Sequence, residues 1–206
     1  GRLQTVPLPH QERPLPPIDA TAMAPAEVLL LSHRVLFMDV PLPPVAVSDK
    51  VNTTEAAIIA AIVARMQRRM GTAFVPQQSV GIIVPYRHQI AAIRRAMERE
   101  GVTEAADITI DTVERYQGSQ RDTIIYGFTV QRHAQLDFLT EHTFTEDGMT
   151  IDRKLNVAMT RAREHLYLIG HAPLLAHIAT FAALIDFCRA RHAFCRVTPA
   201  GFAACR

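Results

Sequence analysis

Two arginines in the stretch NVAMTRAREHLYLIG have the clearest potential for chemistry in this sequence. Arg161 and Arg163 come at the end of a short helical pattern, and an apolar run typical of a buried strand follows at residues 166–169. A guanidinium group stays charged and binds phosphate oxygens through a planar fork of N–H donors. Two permanent cations beside a buried strand make these arginines candidate site residues, one of which could point into a cleft. The pattern leaves one alternative open, a solvated basic helix in which neither arginine binds a ligand.

The pattern around these arginines predicts a helix over residues 152–163 and a strand over residues 165–170. In a continuous helix, with about 100° between successive residues, Arg161 and Arg163 would face nearly opposite ways. Only one of them could then point into a cleft, and the other could form an ion pair that stabilises the fold. Periodicity does not decide which.

Buried-looking strands alternate with helices along the chain, which favours a parallel α/β sheet with helices on both faces. A capping box at Asn52 and Glu55 begins a long apolar-periodic helix that ends near Gly71. Further strands are predicted at residues 79–85, 107–113 and 122–130, and further helices at 87–100 and 173–191.

The predicted sheet also limits where a ligand can bind. Open parallel sheets bind ligands beyond the carboxyl ends of their strands. This rule predicts sites at three strand exits: Pro85-Tyr86 after the first core strand, the loop at residues 116–121, and the helix that carries Arg161.

Proline-rich sequence at the N-terminus cannot remain regular helix or central strand for long. We therefore expect residues 1–48 to form a lead-in with one short strand at residues 34–40, at an edge of the sheet or as a connection. The main domain is expected over residues 49–191, with a polar excursion at 131–151, and residues 192–206 are expected to form a tail.

Composition excludes several classes of protein. The sequence is 49% hydrophobic and 20% charged with a formal net charge of +2, as in an ordinary globular protein. No apolar run approaches the roughly 18–20 residues that cross a bilayer, and no signal core begins the chain, so we expect a cytoplasmic protein without a membrane partner. Cys188, His192, Cys195 and Cys205 have a spacing that fits no standard zinc knuckle, and we expect no metal.

Three motifs together resemble those of a known family. The stretches GIIVPYRHQ (81–89), TVERYQGSQRDTII (112–125) and RKLNVAMTRAREHLYLIG (153–170) are similar to motifs IV, V and VI of superfamily 1 helicases. The closest group is superfamily 1B, which includes the nonsense-mediated decay helicase, and NTTEA at Asn52 resembles the segment ahead of motif IV. The resemblance implies a RecA-like fold of the P-loop NTPase class and corresponds to the second of the family's two RecA-like domains.

The same resemblance implies the motor domain of an ATP-dependent nucleic-acid helicase. In that family ATP and Mg²⁺ are bound mainly by the first RecA-like domain, and single-stranded nucleic acid lies across both domains. The sequence contains no G-x-x-x-x-G-K-[ST] phosphate loop, so we expect the first domain elsewhere in a parent protein and no ATP hydrolysis by this chain alone. Single-stranded DNA is favoured over RNA, although backbone contacts and stacking do not identify the sugar.

By resemblance, Arg161 is the arginine finger that reaches the γ-phosphate, with Arg163 as the second candidate. The candidates for contacts with the nucleotide are Gln89, Gln117, Gly118 and Gln120. Gly118 would let the backbone approach the nucleotide, because it has no side chain. Gln120 stands where the family often has glutamate, which would make that contact neutral, and Gln89 could simply cap a loop.

The candidates for contacts with the strand come from motifs IV and V. Thr112 corresponds to a hydroxyl that meets the nucleic-acid backbone, and Glu114 stands where the family usually has aspartate. Tyr86 could stack on a base or be a half-buried aromatic at a strand end. The departures at Val84, Glu114 and Gln120 favour a second hypothesis, in which the domain is a degenerate module that binds nucleic acid or a protein without ATPase activity.

Overall fold

The structure is a computed structural model that describes residues 14–46, 48–116, 119–140, 143–146 and 149–198. Its strands are β1 (Val35–Asp39), β2 (Val80–Ile83), β3 (Thr109–Asp111), β4 (Arg121–Gly127), β5 (Thr143–Glu146), β6 (Met149–Asp152), β7 (Ala162–Gly170) and β8 (Phe194–Arg196). Its helices are α1 (Pro25–Ser32), α2 (Thr53–Met70), α3 (Pro76–Ser79), α4 (Arg87–Arg99), α5 (Leu136–Thr140), α6 (Arg153–Arg161), α7 (Ala172–Leu175) and α8 (Ala179–Ala190).

Six of these strands form one parallel sheet in the order β3-β2-β4-β7-β1-β8. Helices α1, α2 and α4 bury apolar side chains against one face, and α5, α6, α7 and α8 do so against the other. β5 and β6 form a separate antiparallel pair. The predicted class, a RecA-like parallel α/β sheet with helices on both faces, is confirmed.

The long helix α2 begins and ends where its sequence signals predict. The Asn52 side chain accepts a hydrogen bond from the Glu55 backbone N–H at 3.0 Å, which satisfies a donor that the first helical turn leaves unpaired. At the other end, Gly71 adopts a φ of 53°, a conformation that glycine takes without steric cost. Between them Ile58, Ile62 and their neighbours face the sheet and are fully buried.

Three predictions about the elements are wrong. β1 is not an edge or connecting strand but lies between β7 and β8, because residues 194–196, which the sequence places in a tail, pair with it in parallel. Helix α6 ends at Arg161, two residues early, because Ala162 already pairs with Arg121 of β4 in extended conformation. The predicted closing helix is two helices, α7 and α8, separated by residues 176–178.

Strand β2 contacts the segment after β3 at one glycine. A Cβ atom on Gly81 would lie 1.8 Å from the Tyr116 Oη, so only glycine admits the Tyr116 ring at this point. The ring is 1% exposed, and its hydroxyl finds no hydrogen-bond partner among the described residues. Burial raises the pKa of Tyr116 to about 12, against the opposing effect of the Arg121 cation.

We expect Gly81→Ala to lower the free energy of unfolding by about 1–3 kcal/mol, because the new methyl group overlaps a packed ring. Tyr116→Phe should leave stability unchanged or slightly higher, since it removes a buried hydroxyl without a partner. The double variant should recover part of the loss. Urea titrations of the four proteins test this, and strictly additive losses would contradict the contact.

Candidate functional site

The predicted site residues lie at two opposite edges of the sheet. Tyr86 and Thr112 follow β2 and β3 at the carboxyl edge, whereas Gln120 and Arg161 precede β4 and β7 at the amino edge. The prediction that all three places lie at carboxyl ends is therefore wrong for two of them. The reason is geometric: because β3, β4 and β7 are parallel, the chain must return to the amino edge before each new strand.

An open groove of about 550 Å³ lies at the carboxyl edge. Its lining residues are Lys50, Pro85, Tyr86, Arg87, His88, Thr112, Ala134, Gln135 and Phe138. Lys50, Arg87 and His88 are exposed, and no carboxylate is among the lining residues. This carboxyl-edge groove therefore combines an aromatic surface with cations, which is the composition that single-stranded nucleic acid requires.

The aromatic surface of the groove is a pair of stacked rings. The Tyr86 and Phe138 ring centroids are 4.9 Å apart, with 22° between the ring planes. Phe138 belongs to α5, within the polar excursion, and sequence reasoning did not name it as a site residue. The sequence showed only an aromatic residue in an otherwise polar segment. Such a residue does not indicate which side chains its ring will contact.

Beneath the stacked rings lies a buried lysine. The Lys154 Nζ is 4.1 Å from the Phe138 ring centroid and donates to the Phe138 carbonyl oxygen at 3.2 Å. The same ammonium lies 3.7 Å from the Glu114 Oε1, an ion pair in which the lysine side chain is 6% exposed and the glutamate 56%. Lys154 thus joins motif V, the excursion and the first turn of α6.

A buried polar network forms the support behind the groove. The Glu55 Oε2 accepts from the Thr129 backbone N–H at 2.8 Å, and its Oε1 accepts from the Asn52 Nδ2 at 3.2 Å. Thr129 has a φ of 59°, an uncommon conformation for a β-branched residue. Glu55 is fully buried, and burial raises the pKa of its carboxyl to about 8, although the Thr129 hydrogen bond acts in the other direction.

Gln89 belongs to this network rather than to an exposed surface. Its side chain is fully buried, and its amide bonds both backbone groups of Asn52, accepting from the N–H at 2.8 Å and donating to the carbonyl at 2.9 Å. A contact between this amide and a nucleotide would require both bonds to break. The geometry therefore supports the structural alternative for Gln89.

At the amino edge, Arg161 is the last residue of α6, and it is half-buried. Its Nε is buried and has no hydrogen-bond acceptor among the described residues. Beside it, the Gln120 Nε2 donates to the Thr160 carbonyl oxygen at 3.4 Å. This carbonyl is in the last helical turn, where acceptors lack a partner within the helix, and a glutamate at position 120 could not donate to it. We call Gln120, Asp122, Thr160, Arg161 and Arg163 the amino-edge cluster.

Arg163 lies on β7 and is separated from Arg161 by the end of the helix. Its Nη1 is 3.6 Å from the Asp122 Oδ1, and the two side chains are 46% and 40% exposed. An ion pair this exposed contributes no more than about 1 kcal/mol to stability. The two arginines therefore differ: Arg163 has a carboxylate partner and Arg161 keeps a buried donor unused.

Gln117 and Gly118 lie outside the described residues. Cys205 also lies outside them. Cys188 and Cys195 are buried, and burial raises the pKa of the Cys188 thiol to about 11. In the described part of the chain, no group of three or more His, Cys, Asp and Glu residues is placed to hold a metal, and no helix is long and apolar enough to cross a bilayer.

The parallel RecA-like sheet, with motifs V and VI leading from the carboxyl edge to the amino edge, defines a class of protein. The chain is a RecA-fold domain of the superfamily 1 helicase type. Its particular family follows from a profile described as AAA domain, which matches residues 12–173. The chain belongs to this family.

Several curated relatives are helicases by name. The chain is 30% identical over 129 residues to the putative helicase mov-10-B.2 of Danio rerio, covering 61% of this chain and 12% of that protein. It is 33% identical over 102 residues to the DNA polymerase alpha-associated DNA helicase A of Saccharomyces cerevisiae, covering 49% of this chain and 13% of that protein. The chain thus spans about an eighth of the length of these relatives.

Among solved structures, the chain is similar to the C-terminal domain of a possible DNA helicase from Lactobacillus plantarum WCFS1. The similarity has a TM-score of 0.39 and 14% sequence identity, and it covers 70% of this chain and 80% of that chain.

The buried Glu55 carboxyl gives the domain a pH-dependent stability. Because the pKa of this carboxyl is about 8 in the folded state, against an ordinary value of 4.5, the folded state holds a proton that the unfolded state releases between these values. The free energy of unfolding should therefore be highest below about pH 4.5 with respect to this group, and it should fall towards pH 8 by about 1.4 kcal/mol per pH unit.

Chemical denaturation of this chain across pH 5 to 8 measures that slope. Glu55→Gln should flatten it, whatever its absolute stability, because the glutamine does not titrate. Glu98→Gln, which alters an exposed carboxylate on α4, is the matched control and should keep the wild-type slope. An equal slope in the Glu55 variant and the wild type would contradict this role.

Proposed function

We propose that this chain is the second motor domain of an ATP-dependent nucleic-acid helicase. The observation that carries the proposal is the two-edge arrangement. The segment after β3 and helix α6 each begin beside the carboxyl-edge groove and end in the amino-edge cluster. A motor needs such connections, because strand binding at one place must be linked to nucleotide hydrolysis at another.

In this proposal the amino-edge cluster faces ATP that is held mainly by the first RecA-like domain together with Mg²⁺. The bound nucleotide supplies a phosphoanhydride whose hydrolysis releases free energy. Arg161 fits an arginine finger because its buried Nε has no acceptor in the described structure, and phosphate oxygens would provide one. Arg163 is the weaker candidate, since it is already paired with Asp122.

The motif V residues complete the nucleotide contacts. Gln120 already lies against the last turn of α6, where its amide would meet the nucleotide as a neutral group. Gln117 and Gly118 come three and two residues before this position in the sequence, and we propose that they also contact the nucleotide, Gly118 through its backbone. Gln89 is not part of this proposed site, because its amide is committed to Asn52.

The carboxyl-edge groove is proposed to bind single-stranded nucleic acid. Tyr86 would stack on a base, and Thr112 and the cations Lys50 and Arg87 would contact phosphates. Glu114 is paired with Lys154, so we assign it a role in positioning the groove rather than in binding the strand. These contacts do not discriminate between sugars. DNA is the favoured substrate and RNA the alternative.

A degenerate module without ATPase activity is the second candidate function. It is favoured by Gln120, whose amide hydrogen bond with Thr160 would be lost if the glutamate common in the family were restored. Such a module would bind nucleic acid through the same carboxyl-edge groove and would use neither arginine in catalysis.

Strand-stimulated ATP hydrolysis by the full-length protein that contains this chain tests the proposed motor. Arg161→Ala should lower the rate by about 10³-fold or more, because a finger stabilises charge during phosphoryl transfer. Arg163→Ala should lower it less than about tenfold, since it breaks an exposed ion pair. Arg68→Ala, which removes an exposed arginine from the end of α2, is the control. A wild type that binds strands without hydrolysing ATP would support the degenerate module instead.

Binding of fluorescent single-stranded oligonucleotides to the full-length protein tests the groove. Tyr86→Ala should weaken binding by about 1–3 kcal/mol, because stacking of one base is lost, whereas Tyr86→Phe should keep most of the affinity. Matched DNA and RNA oligomers of one sequence decide between the two substrates. Equal losses in Tyr86→Ala and Tyr86→Phe would contradict a stacking role.

A further inference from the structure

We propose that Lys154 is a positioning residue that couples occupancy of the carboxyl-edge groove to the placement of Arg161. The inference rests on the proposed function, since it concerns how the strand site and the nucleotide site of one motor domain communicate. It adds Phe138 to the groove as the group through which a bound strand acts on Lys154.

Lys154 contacts residues that form or border the carboxyl-edge groove. The Lys154 side chain is nearly buried. Its ammonium contacts the Phe138 ring and the Phe138 carbonyl oxygen, and it lies 3.7 Å from the Oε1 of the half-exposed Glu114. Withdrawing an ammonium from water is strongly unfavourable, and a long, half-exposed ion pair offsets only part of this cost. An apolar side chain would stabilise the site as well, so the cation calls for an explanation beyond stability.

Helix α6 connects this cation to the proposed finger. Lys154 is in its first turn and Arg161 is its last residue, which places their Cα atoms about 10 Å apart along the helix axis. The Asp152 side chain caps the helix by accepting from the Leu155 N–H at 2.9 Å. Leu155 and Ala158 are buried against the sheet. A short, capped and packed helix moves as one body, so a shift of its first turn also moves Arg161.

A bound strand would change the contacts of Lys154 through the stacked rings. Phe138 covers one face of Tyr86 at 4.9 Å, in the place where a base would stack. A base that takes this place displaces the Phe138 ring, one of the three described groups that hold the ammonium. Lys154 therefore has different contacts in the occupied and the empty groove. Such a difference is what a coupling free energy between two sites requires.

Reciprocal binding by the full-length protein measures this coupling. The affinity for a single-stranded oligonucleotide is determined with and without a non-hydrolysable ATP analogue, together with the ratio of strand-stimulated to strand-free ATP hydrolysis. Lys154→Met, which keeps the length of the side chain and removes the charge, should bring both ratios towards one by about fivefold or more. A purely structural role would lower the active fraction without changing either ratio.

Three further variants keep the test decisive. Phe138→Ala removes a partly exposed ring and should lower the same ratios, and combining it with Lys154→Met should add little, since both break one contact. Lys154→Arg keeps a cation and should retain part of the coupling. Lys50→Met removes an exposed groove lysine and should weaken strand binding without changing the ratios.

The outcomes separate the coupling from the motor. Wild-type ratios in both Lys154→Met and Phe138→Ala would overturn the coupling while leaving the proposed function intact. A wild type that neither binds strands nor hydrolyses ATP would overturn both.

Discussion

Parallel pairing of β3, β4 and β7 is the constraint on which the arrangement of this domain depends. Each connection between two parallel strands must leave the carboxyl edge and return to the amino edge. The segment from Thr112 to Gln120 makes this crossing once, and helix α6 makes it again. Two short stretches of chain therefore have one end beside the groove and the other in the amino-edge cluster. The same backbone geometry that builds the sheet thereby links the two candidate sites.

The position of the groove depends on the buried network of Asn52, Glu55, Gln89 and Thr129. It ties the first turn of α2 to the first turn of α4 and to the chain that leaves β4. From Thr129 the chain continues into the segment that carries Phe138, so the network also sets where the aromatic pair forms. The raised pKa of Glu55 is the electrostatic cost of placing a carboxyl inside this junction.

Local signals account for the parts of the fold that were predicted from sequence. The capping box at Asn52 and the glycine at position 71 bound α2 by hydrogen bonding and backbone freedom within a few residues. β1 could not be placed in the same way, because its interior position depends on pairing with β8, far away in the sequence. Phe138 was missed for the same reason, because its place in the groove depends on contacts with Tyr86 and Lys154, which are distant in the chain.

The sequence by itself determined the class of the domain, the order of its motifs and the residue types available for phosphate and base contacts. Its residue pattern did not separate Arg161 from Arg163, which only the family resemblance ranked, and it placed every candidate site at the carboxyl edge. Tertiary structure decided the surroundings of each arginine and the edge of the sheet on which each candidate site lies. Pairing of Ala162 with β4 ends the helix between the two arginines, which leaves Arg163 beside Asp122 and Arg161 without an acceptor in the described structure. Such pairings depend on contacts between distant segments, and a local pattern of residues does not contain them.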